Sequence, residues 1–203
     1  MTRRIPSDHR NVTAVLSDTL SRDGVVIVPT DTIYGLSARL SSESGYRRIL
    51  DIKHCEPGRR FLYLAGSVEM VDAYIASWGC ASKQLLASIW PAPLTAIFYA
   101  GTKCADWVGD SVAFRIPESE LLVQTINDLG EPIVSTSVNR AGEPPVNDVE
   151  SIETSFGELV DLVVAADAPP EERPSTIVDF TGEKPVVVRR GVYLWPGGGN
   201  PSN

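Results

Sequence analysis

A chain of 203 residues, 43% hydrophobic and 22% charged, carries enough apolar material for one substantial core, and its length favours a single domain. A formal charge of −8 argues against a protein built to wrap nucleic acid, which needs many phosphate-neutralising cations, but leaves room for a local cationic pocket. No stretch approaches the ~20 apolar residues of a membrane span, and MTRRIPSDHR has a basic start with no apolar segment behind it, so neither a membrane anchor nor a secretory signal is expected.

Ser7 is placed to cap a first helix running to about Ser21, with Val12, Val15, Leu16 and Leu20 on one face and Gly24 at the stop. The β-branched run Val25 to Val28 follows as a strand. A second helix is predicted over Glu43 to Lys53, with Tyr46, Ile49 and Leu50 inward. FLYLA (61–65) reads as a strand, followed by a helix starting near Ser67 and another ending before Trp90. LTAIFYA, SVAFRI, PIVST, DLVVAA, STIVDF and PVVVRR are further short strands bounded by Gly, Pro or Asp. STIVDFTGEKPVVVRR reads as a hairpin turning at Thr181-Gly182-Glu183-Lys184, which favours a mixed sheet over a purely parallel one. Six to eight strands with four or five helices indicate an α/β or α+β fold. WPGGGNPSN reads as a flexible tail.

Familiar catalytic sets are absent. The sequence has no GxxxxGK[ST] loop, GxGxxG, GxSxG or HExxH. Two histidines, His9 and His54, rule out a multi-histidine metal centre, and no metal-ligand set is expected from the protein itself. Cys55, Cys80 and Cys104 form neither a CxxC pattern nor a disulfide framework, which suits a reducing cytoplasm. Glu171-Glu172 lies in a Pro-rich loop and reads as solvated surface.

What remains is a recurrence at strand ends. IVPTDT delivers Thr32, AFRIP Arg115, STSVN Ser137 and Asn139, PSTIV Ser175 and Thr176, and VVVRRG Arg189. Each alone fits a turn, since Thr, Asp and Ser bond locally to backbone. Together they fit one concave site rich in anion binders, where chemistry proceeds by placing anions and polar groups rather than by a protein nucleophile.

These motifs resemble the YrdC/YciO-type family, the threonylcarbamoyl-AMP synthases and their relatives, in a short, single-domain form. PTDTIYGL is similar to the family's opening motif, ILDIKHCEPGRRF to its lysine-containing segment and WPAPLTAIF to its WPGPLT motif. VAFRIP, STSVNRAGEPP, STIVDFTG and VVVRRG follow in the family's order, from about residue 12 to residue 192. The resemblance implies a single α/β domain, here 8–192, around a twisted mixed sheet with a deep ligand cleft, and leaves 193–203 as a tail.

It further implies synthesis of threonylcarbamoyl-adenylate and pyrophosphate from L-threonine, bicarbonate and ATP with Mg²⁺, and handover of the product to a tRNA-modifying complex. Carried over by motif, Thr32, Arg115, Ser137 and Ser175 face threonine and its carbamate, while Lys53, as the catalytic cation, Arg59, Ser111, Asn139 and Arg189 face ATP. The family's K-x-R is here Lys53-His54-Cys55, a proline position holds Arg60, and a histidine position in the following strand holds Leu64. Loss of that arginine resembles the YciO-type paralogues, so an enzyme with a related carbamoyl or adenylate substrate is the alternative. A non-catalytic RNA-binding module is another, and direct tRNA binding stays open.

Overall fold

In the computed structural model, which describes residues 3–166 and 173–196, the short β-branched runs form strands of a mixed sheet. In chain order the elements are β1 (Arg3–Pro6), α1 (Val12–Ser21), β2 (Val26–Val28), β3 (Gly35–Ser37), α2 (Glu43–Lys53), β4 (Leu62–Leu64), α3 (Val68–Tyr74), α4 (Lys83–Ile89), β5 (Leu94–Tyr99), β6 (Ser111–Arg115), α5 (Glu120–Leu129), β7 (Ile133–Ser137), α6 (Val149–Phe156), β8 (Leu162–Ala165), β9 (Thr176–Asp179) and β10 (Val186–Arg189). The strand order is β1-β8-β2-β3-β7-β4-β6-β5-β9-β10. β8 runs parallel to both β1 and β2, β4 to β6 and β5 to β9, and the other neighbours are antiparallel.

Two apolar clusters lie on opposite faces of the sheet, because successive strand residues point opposite ways. Val26 and Val28 of β2 join Leu16, Leu20, Leu122 and Ile126 of α1 and α5, while Ile27 joins Ile49, Ile152 and Phe156 of α2 and α6. The α2 helix forms as its sequence predicts: Ser42 accepts from the Gly45 N–H at the start, and His54 closes the end in a left-handed conformation. The expected hairpin is present as β9 and β10, with a register shift between Val187 and Arg189.

Four elements go beyond the sequence reading. β1 buries only Ile5 and has no alternation to announce it, and β3 (Gly-Leu-Ser) is a poor strand former held between β2 and β7. α5 carries ordinary signals, a Ser119 cap bonded to the Leu122 N–H and a positive-φ stop at Gly130, and α6 is capped by Asp148. The first helix starts at Val12 rather than after Ser7. The Ser7 N–H donates to the Ala165 carbonyl and keeps the chain alongside β8.

The chain also stays packed beyond residue 192. The Thr176 hydroxyl donates to the Tyr193 carbonyl, and Trp195 stands edge-on to Phe180. The Glu171-Glu172 pair and residues 197–203 lie outside the described residues. Gly79 has φ +58, and a Cβ there would sit 2.0 Å from the Phe180 carbonyl oxygen. Gly79→Ala is expected to lower the unfolding free energy by about 2–3 kcal/mol. Gly58→Ala, at φ +85 in open space, should cost about 1 kcal/mol. Urea unfolding of the two variants checks the contrast.

Candidate functional site

The cleft floor is one face of the sheet. Alternate residues of five neighbouring strands line it: Ser135 and Ser137 of β7, Leu62 of β4, Ser111, Ala113 and Arg115 of β6, Thr95 and Ile97 of β5, and Ile177 and Asp179 of β9. The intervening residues Val112, Phe114, Ala96, Phe98 and Val178 face the core. At ~4.8 Å per strand the floor is ~19 Å wide, and the cleft encloses about 1090 Å³. The hydroxyls therefore stand across a sheet face, as well as at the strand ends where the sequence places them. The 29–34 segment, the 53–60 segment and the loop after β7 wall it in.

The deep end is built on Arg115, only 2% exposed. Its Nη1 donates to Thr32 Oγ1 at 2.9 Å and Nη2 to Thr30 Oγ1 at 3.4 Å. Nη2 also lies 3.3 Å from Asp31 Oδ1 as an ion pair, yet both Asp31 oxygens and Arg115 Nε are buried without a hydrogen-bond partner. Burial holds the Arg115 pKa below its ordinary value, Asp31 works against that, and Arg189 adds repulsion. A guanidinium keeps its charge through such opposition. Beside it, Ser175 exchanges a 2.8 Å hydrogen bond with Thr95, and Arg189 donates from Nε and Nη2 to the Ser175 carbonyl. Arg189 Nη1 makes no hydrogen bond among the described residues.

Lys53 leaves the last turn of α2 and ends beneath the loop after β7. Its Nζ donates to the Ser137 carbonyl (2.6 Å), the Asn139 carbonyl (3.1 Å) and Asn139 Oδ1 (2.7 Å). An ammonium has three N–H donors, and all three are taken. Lys53 therefore acts as a fixed charge and a tether for the loop. Burial, with repulsion from Arg59, brings its pKa down to about 8, against a raising influence from Cys55. The Ser137 hydroxyl donates to Asn139 Oδ1 at 2.6 Å, and Asn139 Nδ2 donates to the Glu143 carbonyl. Among the described residues, no further hydrogen bond is made by the Ser137 hydroxyl or by Asn139 Nδ2.

At the mouth, Arg59 and Arg60 are exposed residues of the segment after α2. Arg60 Nη1 donates to Ser111 Oγ at 2.7 Å. The Arg59 side chain has no hydrogen bond or ion pair among the described residues, while its carbonyl accepts from the Tyr46 hydroxyl. Cys55 is half-buried against the core, with its thiol 3.8 Å from the Lys53 carbonyl.

All nine site residues expected from the sequence, Thr32, Lys53, Arg59, Ser111, Arg115, Ser137, Asn139, Ser175 and Arg189, line this one cleft. The sequence reading did not single out Asp31, Thr95, Ser135 or Arg60 as site residues. Thr95, Ser135 and Ala113 carried a signal, since small or hydroxyl residues alternate with apolar ones in LTAIF, PIVSTS and SVAFR. No group of three or more His, Cys, Asp or Glu that could hold a metal ion occurs among the described residues, and no described helix is long and apolar enough to cross a membrane.

A family model named for Sua5, YciO and YrdC, and described as telomere recombination, matches residues 18–191. The threonylcarbamoyl-AMP synthase of Escherichia coli O1:K1 / APEC is 30% identical over 176 residues, covering 84% of this chain and 92% of that protein. The crystal structure of E. coli YciO matches with a TM-score of 0.82 at 24% identity, over 95% of this chain and 96% of that one. P. abyssi Sua5 complexed with L-threonine matches with a TM-score of 0.81 at 22% identity, over 94% of this chain. This chain spans 57% of that longer protein.

The Asp31–Arg115 pair yields a direct test. Asp31→Asn strands a buried guanidinium and should cost about 3 kcal/mol or more of stability. Adding Arg115→Met should recover part of that loss, since an apolar pair replaces a buried ionic one. A double-mutant cycle by urea unfolding measures the coupling, and strict additivity of the two losses would show that the pair does not interact.

Proposed function

The chain belongs to the Sua5/YciO/YrdC family, and from that premise we propose that it is an ATP-dependent L-threonylcarbamoyladenylate synthase, a nucleotidyltransferase. One observation carries the reading: a single sheet-face cleft has a deep, hydroxyl-lined guanidinium at one end and exposed guanidiniums at the other. A small zwitterion with a carboxylate suits the deep end, where Arg115, Thr32 and Ser175 offer a fixed charge and hydroxyls. A hydrated polyanion suits the mouth. Ser111 and Arg115 lie four residues apart on β6, ~13 Å along the strand, room for an amino acid and a nucleotide to meet end to end.

In this reading threonine and bicarbonate give a carbamate and water. A carbamate oxygen then bonds to the α-phosphorus of ATP while the bond from that phosphorus to the β-phosphate bridging oxygen breaks, releasing pyrophosphate. The carbamate is its own nucleophile, which suits a cleft that offers cations and hydroxyls rather than an activated Ser, Cys or His. Arg115, Thr32, Ser137 and Ser175 orient threonine and its carbamate. Lys53 places a buried positive charge beside the α-phosphate and holds Ser137 and Asn139 in line, while Arg59, Ser111, Asn139 and Arg189 bind the nucleotide.

Mg²⁺ fits as a companion of the phosphates, since Mg²⁺ commonly keeps its waters and takes one or two carboxylates plus substrate oxygens. Glu56 on the mouth segment and Asp179 on the floor are the cleft-lining carboxylates that would be available to it. The ion supplies neutralisation of the leaving pyrophosphate. The product passes to a tRNA-modifying complex, and we place the reaction in the cytoplasm, in keeping with three free thiols. Cys55 favours a second reading, a YciO-type enzyme on a related carbamoyl or adenylate substrate.

Pyrophosphate release from ATP should require both threonine and bicarbonate, each omitted in turn. Release that ignores threonine but follows another amine would select the second reading. The charge on Lys53 is present below about pH 8 and lost as pH rises through it, so kcat/KM for ATP should fall on an alkaline limb near pH 8. Lys53→Arg, charged throughout, should move that limb above pH 9. An unmoved limb would assign it to another group.

A further inference from the structure

The cleft's cations differ in how far the protein already engages them. Lys53 has spent its three protons on Ser137 and Asn139, and Arg115 is enclosed by Thr30, Asp31 and Thr32. Arg189 is bound along one edge to Ser175. Arg60 is held by one neutral hydroxyl, Ser111 Oγ, and among the described residues no carboxylate pairs with it. Its guanidinium passes over Gly109, where even a Cβ would come within 3.5 Å of Arg60 Nε and Nη2.

A guanidinium fixed to a hydroxyl on the cleft floor, with most of its donors unused and no counter-charge, is set up to receive an anion. Its position selects which one. Ser111 stands at the far end of β6 from Arg115, ~13 Å along the strand. A carboxylate on Arg115, a carbamate joined to it and an α-phosphate fill most of that distance, and the groups beyond are the β- and γ-phosphates. Cys55 brings a thiol and no cation to this wall, so the segment after α2 offers its cationic side chains only from Arg59 onward.

We propose that Arg60, anchored by Ser111, binds the β- and γ-phosphates of ATP and holds the pyrophosphate as it leaves. This rests on the synthase reading of the cleft. Arg59, unconstrained beside it, adds charge to the same rim, whereas Arg60 supplies the directed contact. Because the residue touches the leaving group, Arg60 is assigned to catalysis as well as to binding.

Isothermal titration with ATP, inorganic pyrophosphate and AMP tests it on the unaltered chain, Arg60→Ala and Arg60→Lys. Arg60→Ala should weaken ATP and pyrophosphate ~10-fold or more, as for loss of a charge-assisted contact, and leave AMP within about twofold. Arg60→Lys should recover only part, because an ammonium cannot fork onto two phosphate oxygens. Arg60 is exposed, so the variants should melt with the unaltered protein. ATP affinity unchanged in Arg60→Ala, or an equal loss for AMP, overturns the assignment. So does failure of the unaltered chain to bind pyrophosphate. Pyrophosphate binding lost with Arg60, in a chain that shows no threonine-dependent turnover, would sustain the anion site and remove the synthase reading instead.

Discussion

Arg115 is the residue around which the cleft is organised. A guanidinium removed from water at the end of a central strand has to be answered by whatever surrounds it, and the answer is the Thr30-Asp31-Thr32 turn. That turn joins β2 to β3 through the interior of the sheet, where a chain must satisfy its own polar groups. Thr30 does so locally, accepting from the Thr32 N–H and donating to the Ile33 carbonyl, while Asp31 supplies the opposite charge. The pair is an expensive way to fill space, since burying two ions costs several kcal/mol that their attraction only partly returns. Its position at the base of a cleft suits the proposed function: a charge already desolvated and held in place would need no reorganisation on meeting a carboxylate.

From that base the cleft grades outward. Hydroxyls from three strands spread across the floor, the buried ammonium of Lys53 braces one wall, and guanidiniums stand at the rim. This gradient reconciles an acidic protein with the anionic substrates proposed for it. The net charge is a property of the whole surface, whereas the cleft gathers a few cations of which, among the described residues, only Arg115 is paired with a carboxylate. Carboxylates elsewhere are matched to other arginines, as in Arg48 with Asp161 and Arg39 with Asp23.

Much of this was legible in the residues. Short apolar runs, most of them β-branched, announce eight strands, α2 carries its cap and apolar face, and Thr32, Arg115, Ser137 and Arg189 sit at the ends of such runs in a recurring pattern. The geometry of the floor was less legible because it depends on which strands are neighbours. Ser111 and Ser137 come from distant parts of the chain, and only the order β7-β4-β6 brings them to one surface. β3 was hidden because Gly-Leu-Ser gains its strand character from its neighbours. Arg60 was noticed as a departure from a proline, but its use depends on the hydroxyl it meets across the cleft, a contact no local pattern encodes.

The alternation along β5, β6 and β7 has a consequence for the protein as a solid object. One face of these strands is covered by aromatic and aliphatic side chains, and the other carries only Ser, Thr and Ala with scattered longer residues. Most α/β proteins cover both faces of such a sheet with helices. Here, among the described residues, the cleft takes up part of the second cover. Under the proposed function the substrates would take its place and, by binding the folded chain, would add to the free energy that resists unfolding. The substrates proposed for this protein would be, in that sense, a removable part of its architecture.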